Sequence, residues 1–170
     1  IVLQVKVKFY PVKVNRKFGH SKVFSYFWDT IRHQKSIHTM QTNEELLATI
    51  ENYLAQTDFP AEPELLYAPI GYSLGGKRLR PMLVMLSCGI FSDQIQSALP
   101  AAAAVEMFHN FTLLHDDIMD NAAMRRGKPS VFARWGQNVA ILSGDAMLIC
   151  AYRLLSGVPA HLLPQILATF

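Results

Sequence analysis

The sequence predicts an all-α protein. Three features carry that prediction: apolar residues recur at helical spacing from Leu46 onward, an alanine run opens a long apolar stretch that ends in acidic residues, and Pro and Gly punctuate the points where helices begin or stop. From Thr42 the pattern is helical, with Leu46, Leu47, Ile50 and Leu54 on one face after Asn43, the expected cap, and FPAEP stopping or bending the helix. PELLYAPIGYSL follows and ends at Gly75 and Gly76; KRLRP then leads into MLVMLSCGIF, with Pro81 suited to a first turn, where its missing N–H removes no bond. Asp93 to Leu99 form a short link. Pro100 opens AAAAVEMFHNFTLLHDDIMD, whose alanines favour helix and let a neighbour approach closely. NAAMRRGKPS reads as a loop, Ser130 as the cap of VFARW, and Asn138 as the cap of VAILSGDAMLICAYRLL, which ends at Gly157 and Pro159 before the helical stretch HLLPQILATF.

A chain of 170 residues that is 51% hydrophobic and 17% charged can bury a sizeable core, so disorder is excluded as its default state. Cys88 and Cys150 stand far apart in apolar stretches, without metal-like or redox-like spacing, and read as reduced core residues of a cytoplasmic protein. Glu106 and Asp145 interrupt the best apolar runs, so no membrane span is expected. Charge is unevenly distributed. Residues 1–39 hold eight Lys/Arg against the single acid Asp29, and residues 40–170 hold eight against twelve acids. The first stretch is either a basic arm for nucleic acid or anionic lipid, or a segment foreign to the native protein, since the chain opens on Ile1 and composition changes at Met40. Val5, Lys6, Val7, Lys8 and Phe9 alternate with a strand period, although an isolated strand has nothing to pair with.

Asp116, Asp117 and Asp120 crowd three carboxylates onto about one turn near the end of the alanine-led helix. Their mutual repulsion calls for a cation, and hard oxygen donors without His or Cys favour Mg²⁺, which takes one or two carboxylates and completes its shell with water and phosphate. The bland alternative is a solvated acidic helix end. His109, seven residues before Asp116, shares the carboxylate face, whereas His115 points elsewhere and reads as structural. Two basic groups flank these residues. Lys77, Arg78 and Arg80 follow a Gly-Gly pair that lets the backbone approach an anion, and they precede a helix start. Arg125 and Arg126 lie just beyond the acidic helix, placed to clamp a diphosphate with their guanidinium forks. A nucleic-acid surface is the competing reading of these clusters, but the acidic neighbours and the net negative charge of residues 40–170 oppose it.

GGKRLRP, the His109-to-Asp116 spacing, HDDIMD and RRGKPS, in that order, resemble the successive signatures of the trans-isoprenyl diphosphate synthases, the polyprenyl synthase family, over about residues 42–170. The resemblance implies the N-terminal half of the isoprenoid synthase helical bundle, and an enzyme that condenses isopentenyl diphosphate with an allylic diphosphate, giving farnesyl or geranylgeranyl diphosphate. It implies that Lys77, Arg80 and His109 bind the diphosphate of isopentenyl diphosphate, and that Asp116 and Asp120, with Asp117 nearby, hold Mg²⁺ against the allylic diphosphate. By the same carry-over Arg125 touches the allylic diphosphate and Arg126 that of isopentenyl diphosphate, Phe111 forms a floor that limits product length, and the complete enzyme is a homodimer. No protein nucleophile is required, in keeping with the absence of a Ser or Cys catalytic pattern.

The sequence ends at Phe170, before the second aspartate-rich motif that the resemblance places on later helices. The expectation is therefore a partial synthase domain at 40–170, inactive alone, behind a basic extension at 1–39. Three other readings compete with the synthase: a class I terpene cyclase, which has no use for GGKRLRP because it binds no second diphosphate substrate, a non-catalytic partner subunit of a prenyl synthase, and an RNA-binding module resting on residues 1–39.

Overall fold

The computed structural model describes residues 42–170, and the basic extension with its strand-period run lies outside the described residues. The described residues form helices α1 (Asn43–Ala55), α2 (Glu64–Ser73), α3 (Leu79–Phe91), α4 (Leu99–Met119), α5 (Val131–Trp135), α6 (Gln137–Leu155) and α7 (Leu163–Thr169). A 3-10 turn at Ile95–Ala98 runs directly into α4, and a small antiparallel hairpin, β1 (Met124–Arg125) and β2 (Lys128–Pro129), follows it. The all-α prediction holds, with this hairpin replacing part of the expected loop.

Helix starts show which local signals the sequence carries. α1 begins with a capping box: Thr42 Oγ1 accepts from the Glu45 N–H at 3.1 Å, and Glu45 Oε2 accepts from the Thr42 N–H at 2.7 Å. The cap is thus Thr42 and not Asn43, because only Thr42 has the Glu three residues on that completes the reciprocal pair. Ser130 caps α5 as expected, accepting from the Ala133 N–H at 3.0 Å while donating to the Ala122 carbonyl at 2.6 Å. α6 starts two residues earlier than a cap at Asn138 suggested, from Gly136, whose φ is 86°.

α4 is the axis of the packing. Ala102, Ala103 and Ala104 are fully buried, so helices pack close to the backbone of α4, and α6 lies along it as its most extensive partner, with α3, α1 and α5 also in contact. Ile70, Met107, Leu114, Val131, Ala140, Met147, Cys150 and Ala151 make one apolar core between α2, α4, α5 and α6. α6 has the length and mean hydropathy of a membrane-spanning helix, although the sequence led us to expect none, since one Asp within a long apolar helix does not undo its average hydropathy. Its face through Ala140, Ser143, Gly144, Met147 and Ala151 is buried against the bundle, as in a core helix. His115 lies over Gly144, where a Cβ would stand 2.5 Å from the His115 ring, so the pairing of α4 with α6 at this level depends on the absence of a side chain.

A buried ion pair links three segments of the bundle. Arg78, left-handed at φ 52° immediately before α3, turns inward and is 7% exposed. Its Nη1 donates to Glu106 Oε1 on α4 at 3.0 Å and to the Gly75 carbonyl at 2.9 Å, and its Nε donates to Glu51 Oε1 on α1 at 2.9 Å. Burial alone would lower the Arg78 pKa, but its hydrogen bonds and charge pairing with Glu51 and Glu106 outweigh burial and raise it. Glu106 is 3% exposed and Glu51 47%. Replacing Arg78 by Met leaves a buried carboxylate unpaired and should lower the unfolding free energy in urea by about 3 kcal/mol. Glu51→Gln, at the exposed end, should cost at most about 1 kcal/mol. Equal losses from the two would show that the buried pair is not the dominant contact.

Candidate functional site

The last turns of α4, the hairpin after it and the turn before α3 meet at one end of the bundle. Asp116, Asp117 and Asp120 close α4, and the Asp120 N–H donates to the Asp116 carbonyl at 2.9 Å, so these two residues are one helical turn apart. Asp116 is half-buried and Asp120 exposed. Asp117 turns inward, 3% exposed, where its Oδ1 accepts from Arg125 Nε at 2.9 Å and Nη2 at 2.6 Å. That hydrogen bonding, opposed by burial, raises the Arg125 pKa, with the charges of Asp117, Asp116 and Asp120 adding to the effect.

The hairpin separates the two arginines. Arg125 pairs with Lys128 in register, and the turn residues Arg126 and Gly127 both have positive φ, 53° and 77°, which suits a two-residue turn matched to the twist of the strands. Arg125 is thereby directed to Asp117. Arg126 reaches to the end of α2 and back to α4, its Nη1 donating to the Ser73 carbonyl at 3.1 Å and to Asn110 Oδ1 at 3.2 Å. The hairpin is fastened to α2 by Tyr72: its hydroxyl donates to the Pro129 carbonyl at 2.8 Å, and Lys128 Nζ sits 3.9 Å from its ring centroid.

Gly75 and Gly76 also have a role that the sequence reading did not assign. A Cβ on Gly75 would lie 3.2 Å from Arg126 Nη1, and one on Gly76 would lie 3.0 Å from Nη2, so the glycine pair is the floor on which the Arg126 guanidinium rests. The turn then divides the basic cluster. Arg78 goes into the core, and Lys77 and Arg80 stay exposed on either side of it.

His109 stands on α4, half-buried. Burial, then the nearby charge of Arg80, lowers its pKa from the ordinary 6.5; Arg126 acts in the same direction, against the opposing charges of Glu106 and Asp116. The unfolded chain thus takes up this proton first, and the group's contribution to stability is lost as pH falls below 6.5. Burial likewise leads the lowering of the Arg126 pKa. Arg80 and Arg126, from two separate segments, thus stand close enough to His109 on α4 for their charges to act on its ring, as does that of Asp116 on the same helix.

For a divalent cation the donor set is informative. Among the described residues no three His, Cys, Asp or Glu side chains gather as a metal cage. With Asp117 engaged by Arg125, Asp116 and Asp120 remain as two hard carboxylates, the number with which Mg²⁺ is commonly held when water and phosphate complete its shell, so the residues fit that ion. Phe111 packs against Phe108, with ring centroids 5.5 Å apart, and Phe108 against Phe170 at 5.1 Å, making an aromatic layer below the carboxylates.

Fold and site define a class of protein, an all-α bundle that gathers two aspartates not paired with arginine, Asp116 and Asp120, and a set of Arg and His side chains at one end. Comparison narrows the class. The polyprenyl synthetase family profile matches residues 63–170, and the chain belongs to that family. It is 39% identical over 144 residues to a geranylgeranyl diphosphate synthase of Cyanophora paradoxa, a match covering 76% of this chain and 48% of that protein. It is 49% identical over 98 residues to one of Methanosarcina mazei, covering 56% of this chain and 30% of that one. A crystal structure of geranylgeranyl pyrophosphate synthase superposes with a TM-score of 0.71 at 48% identity, covering 74% of this chain and 39% of the other. The chain thus spans about half the length, or less, of the relatives it matches.

The sequence-predicted residues meet in two sets: Asp116, Asp117, Asp120 and Arg125 in one, and Arg80, His109 and Arg126 in the other, with Lys77 on the same turn as Arg80. Glu106, Asn110 and Ser73, which organise the second set, were not foreseen as site residues. Asn110 lies one residue after His109 on a helix otherwise apolar at that level, and a fully buried amide was the one available signal. Gly76 has φ 115°, where an L side chain is strained, in addition to its contact with Arg126. Gly76→Ala should lower stability by about 2 kcal/mol in urea unfolding, and Gly75→Ala, free of that φ, by clearly less. Equal effects would remove the backbone argument.

Proposed function

We propose that this segment forms the diphosphate-binding half of a trans-prenyltransferase that condenses isopentenyl diphosphate with an allylic diphosphate to give farnesyl or geranylgeranyl diphosphate. The observation that supports it most is the gathering of Arg80, His109 and Arg126, two guanidiniums beside an imidazole made less basic by burial and by Arg80, along the helix that carries the Asp116 and Asp120 carboxylates. Such a site is satisfied when an anion binds the basic edge and a cation bridges the carboxylates to a second anion.

In this reading Lys77, Arg80, His109 and Arg126 bind the diphosphate of isopentenyl diphosphate. Asp116 and Asp120 hold Mg²⁺, which supplies stabilisation of the negative charge that develops on the leaving diphosphate. Arg125, while anchored to Asp117, adds its charge on the allylic side, and the Asp117 pair sets where that charge sits. Phe108 and Phe111 exclude water from the allylic carbocation until the isopentenyl double bond attacks it and a proton leaves, while Leu114, which the sequence also suggested for this lining, is buried in the core. The exposed apolar stripe Leu142, Ile149 and Tyr152 on α6 supports pairing with a second copy of the chain. The free thiols Cys88 and Cys150 suit a reducing compartment such as the cytoplasm.

Two experiments test this. A non-hydrolysable allylic diphosphate analogue should bind more tightly with Mg²⁺ than with EDTA, and Asp116→Asn should abolish the difference; equal binding in both conditions would end the metal reading. Phe111 lies five residues before Asp116, a depth of about 7.5 Å along the helix that leaves space for only a few isoprene units. In an active enzyme carrying this helix, Phe111→Ala should therefore shift products to longer chains. An unchanged distribution would reduce Phe111 to a packing residue.

A further inference from the structure

A continuous polar chain runs beneath the basic edge: Glu51, Arg78, Glu106, Asn110 and Arg126. Asn110 is 1% exposed, and its Nδ2 donates to the Glu106 carbonyl at 2.8 Å and to Glu106 Oε1 at 3.3 Å. Its Oδ1 accepts from Arg126 Nη1 at 3.2 Å. Only one amide orientation satisfies these contacts. Reversing it would set the amide oxygen against two oxygens and its N–H against the guanidinium N–H. Glu106 fixes the direction of the amide, and Glu106 is in turn fixed by Arg78. Arg126, by contrast, is an exposed side chain on a two-residue turn, with many rotamers open to it unless something holds it. The Ser73 carbonyl and the Asn110 amide are its hydrogen-bonding partners, and the Gly75–Gly76 floor lies beneath it.

We propose that Asn110 is a positioning residue for diphosphate recognition: its amide, locked by Glu106, holds the Arg126 guanidinium flat on the Gly75–Gly76 turn in the pose that receives isopentenyl diphosphate. The inference rests on the reading of Arg126 as a diphosphate ligand given above. Asn110 touches no substrate in this arrangement and acts through Arg126 alone, so its contribution disappears when Arg126 is absent. A residue that merely fills space on α4 would instead affect every ligand of the site alike.

A double-mutant cycle on isopentenyl diphosphate affinity, measured by isothermal titration calorimetry on the whole chain, separates the possibilities. Arg126→Ala should weaken binding about tenfold and Asn110→Leu about fivefold, as expected for loss of charge-assisted hydrogen bonds. In the Arg126→Ala background Asn110→Leu should change affinity by less than about twofold, whereas in a Lys77→Ala background it should keep its full effect. Asn110→Ser, whose hydroxyl is too short to reach the guanidinium, makes the same comparison if the leucine variant does not fold. Additive losses in the Arg126→Ala background, or equal coupling to Lys77, would overturn the positioning role while leaving Arg126 a ligand. No loss of affinity in Arg126→Ala, or no binding by the unaltered chain, would remove the underlying reading and this inference with it.

Discussion

The ion pair between Arg78 and Glu106 constrains most of what surrounds it. Removing two charges from water is costly, and their attraction repays the cost only when geometry is good and the remaining polar atoms are satisfied. Here both conditions are met: Arg78 adds bonds to Glu51 and to the Gly75 carbonyl, and Glu106 adds the Asn110 amide. Because Arg78 must reach inward from the turn before α3, the backbone adopts a left-handed conformation there, and Lys77 and Arg80 are left facing outward. One buried contact thereby places three segments, α1, the α2–α3 turn and α4, in register with one another.

The Asp117–Arg125 pair does comparable work at the acidic end. Three carboxylates on one helical turn repel, and the structure relieves this by withdrawing the middle one into a pair with a guanidinium. What remains at the surface is a two-carboxylate arrangement, better suited to a hydrated Mg²⁺ than a three-carboxylate cage. The aspartate motif thus has one inward and two outward members, and the arginine pair one that meets Asp117 and one that does not. Asp117 and Arg125 face each other, leaving Asp116, Asp120 and Arg126 outside that pair.

This division explains what the sequence could and could not convey. Helical periodicity placed α4 with its terminal aspartates correctly, since burial of one face is a strong and local signal, and Ser130 was readable as a cap because its partner is three residues away. Roles that depend on long-range partners were not readable. Nothing near Arg78 in sequence indicates Glu106, 28 residues on, and nothing in RRGKPS shows that the two arginines diverge, because that follows from positive φ at Arg126 and Gly127. The glycine pair was read as space for an anion's approach, yet the group that occupies that space is a side chain 50 residues away. The caps expected at Asn43 and Asn138 miss by one and two residues because several polar residues adjoin each helix start: Glu45 selects Thr42 for α1, and α6 starts from Gly136 with no side-chain cap.

The same logic bears on substrate discrimination. A basic edge made only of exposed lysines would attract any polyanion, since a mobile ammonium imposes little geometry. Arg126 held between a buried amide, a helix-end carbonyl and a glycine floor presents its fork in one orientation, while burial and Arg80 keep His109 less basic. Under the proposed reading, rigidity of this kind would favour a compact diphosphate that satisfies several donors at once over a nucleic acid whose phosphates are spaced along a chain. The fixed group, Arg126, is tied to Glu106 through Asn110, so the orientation of its fork is set in the core of the bundle rather than at its surface.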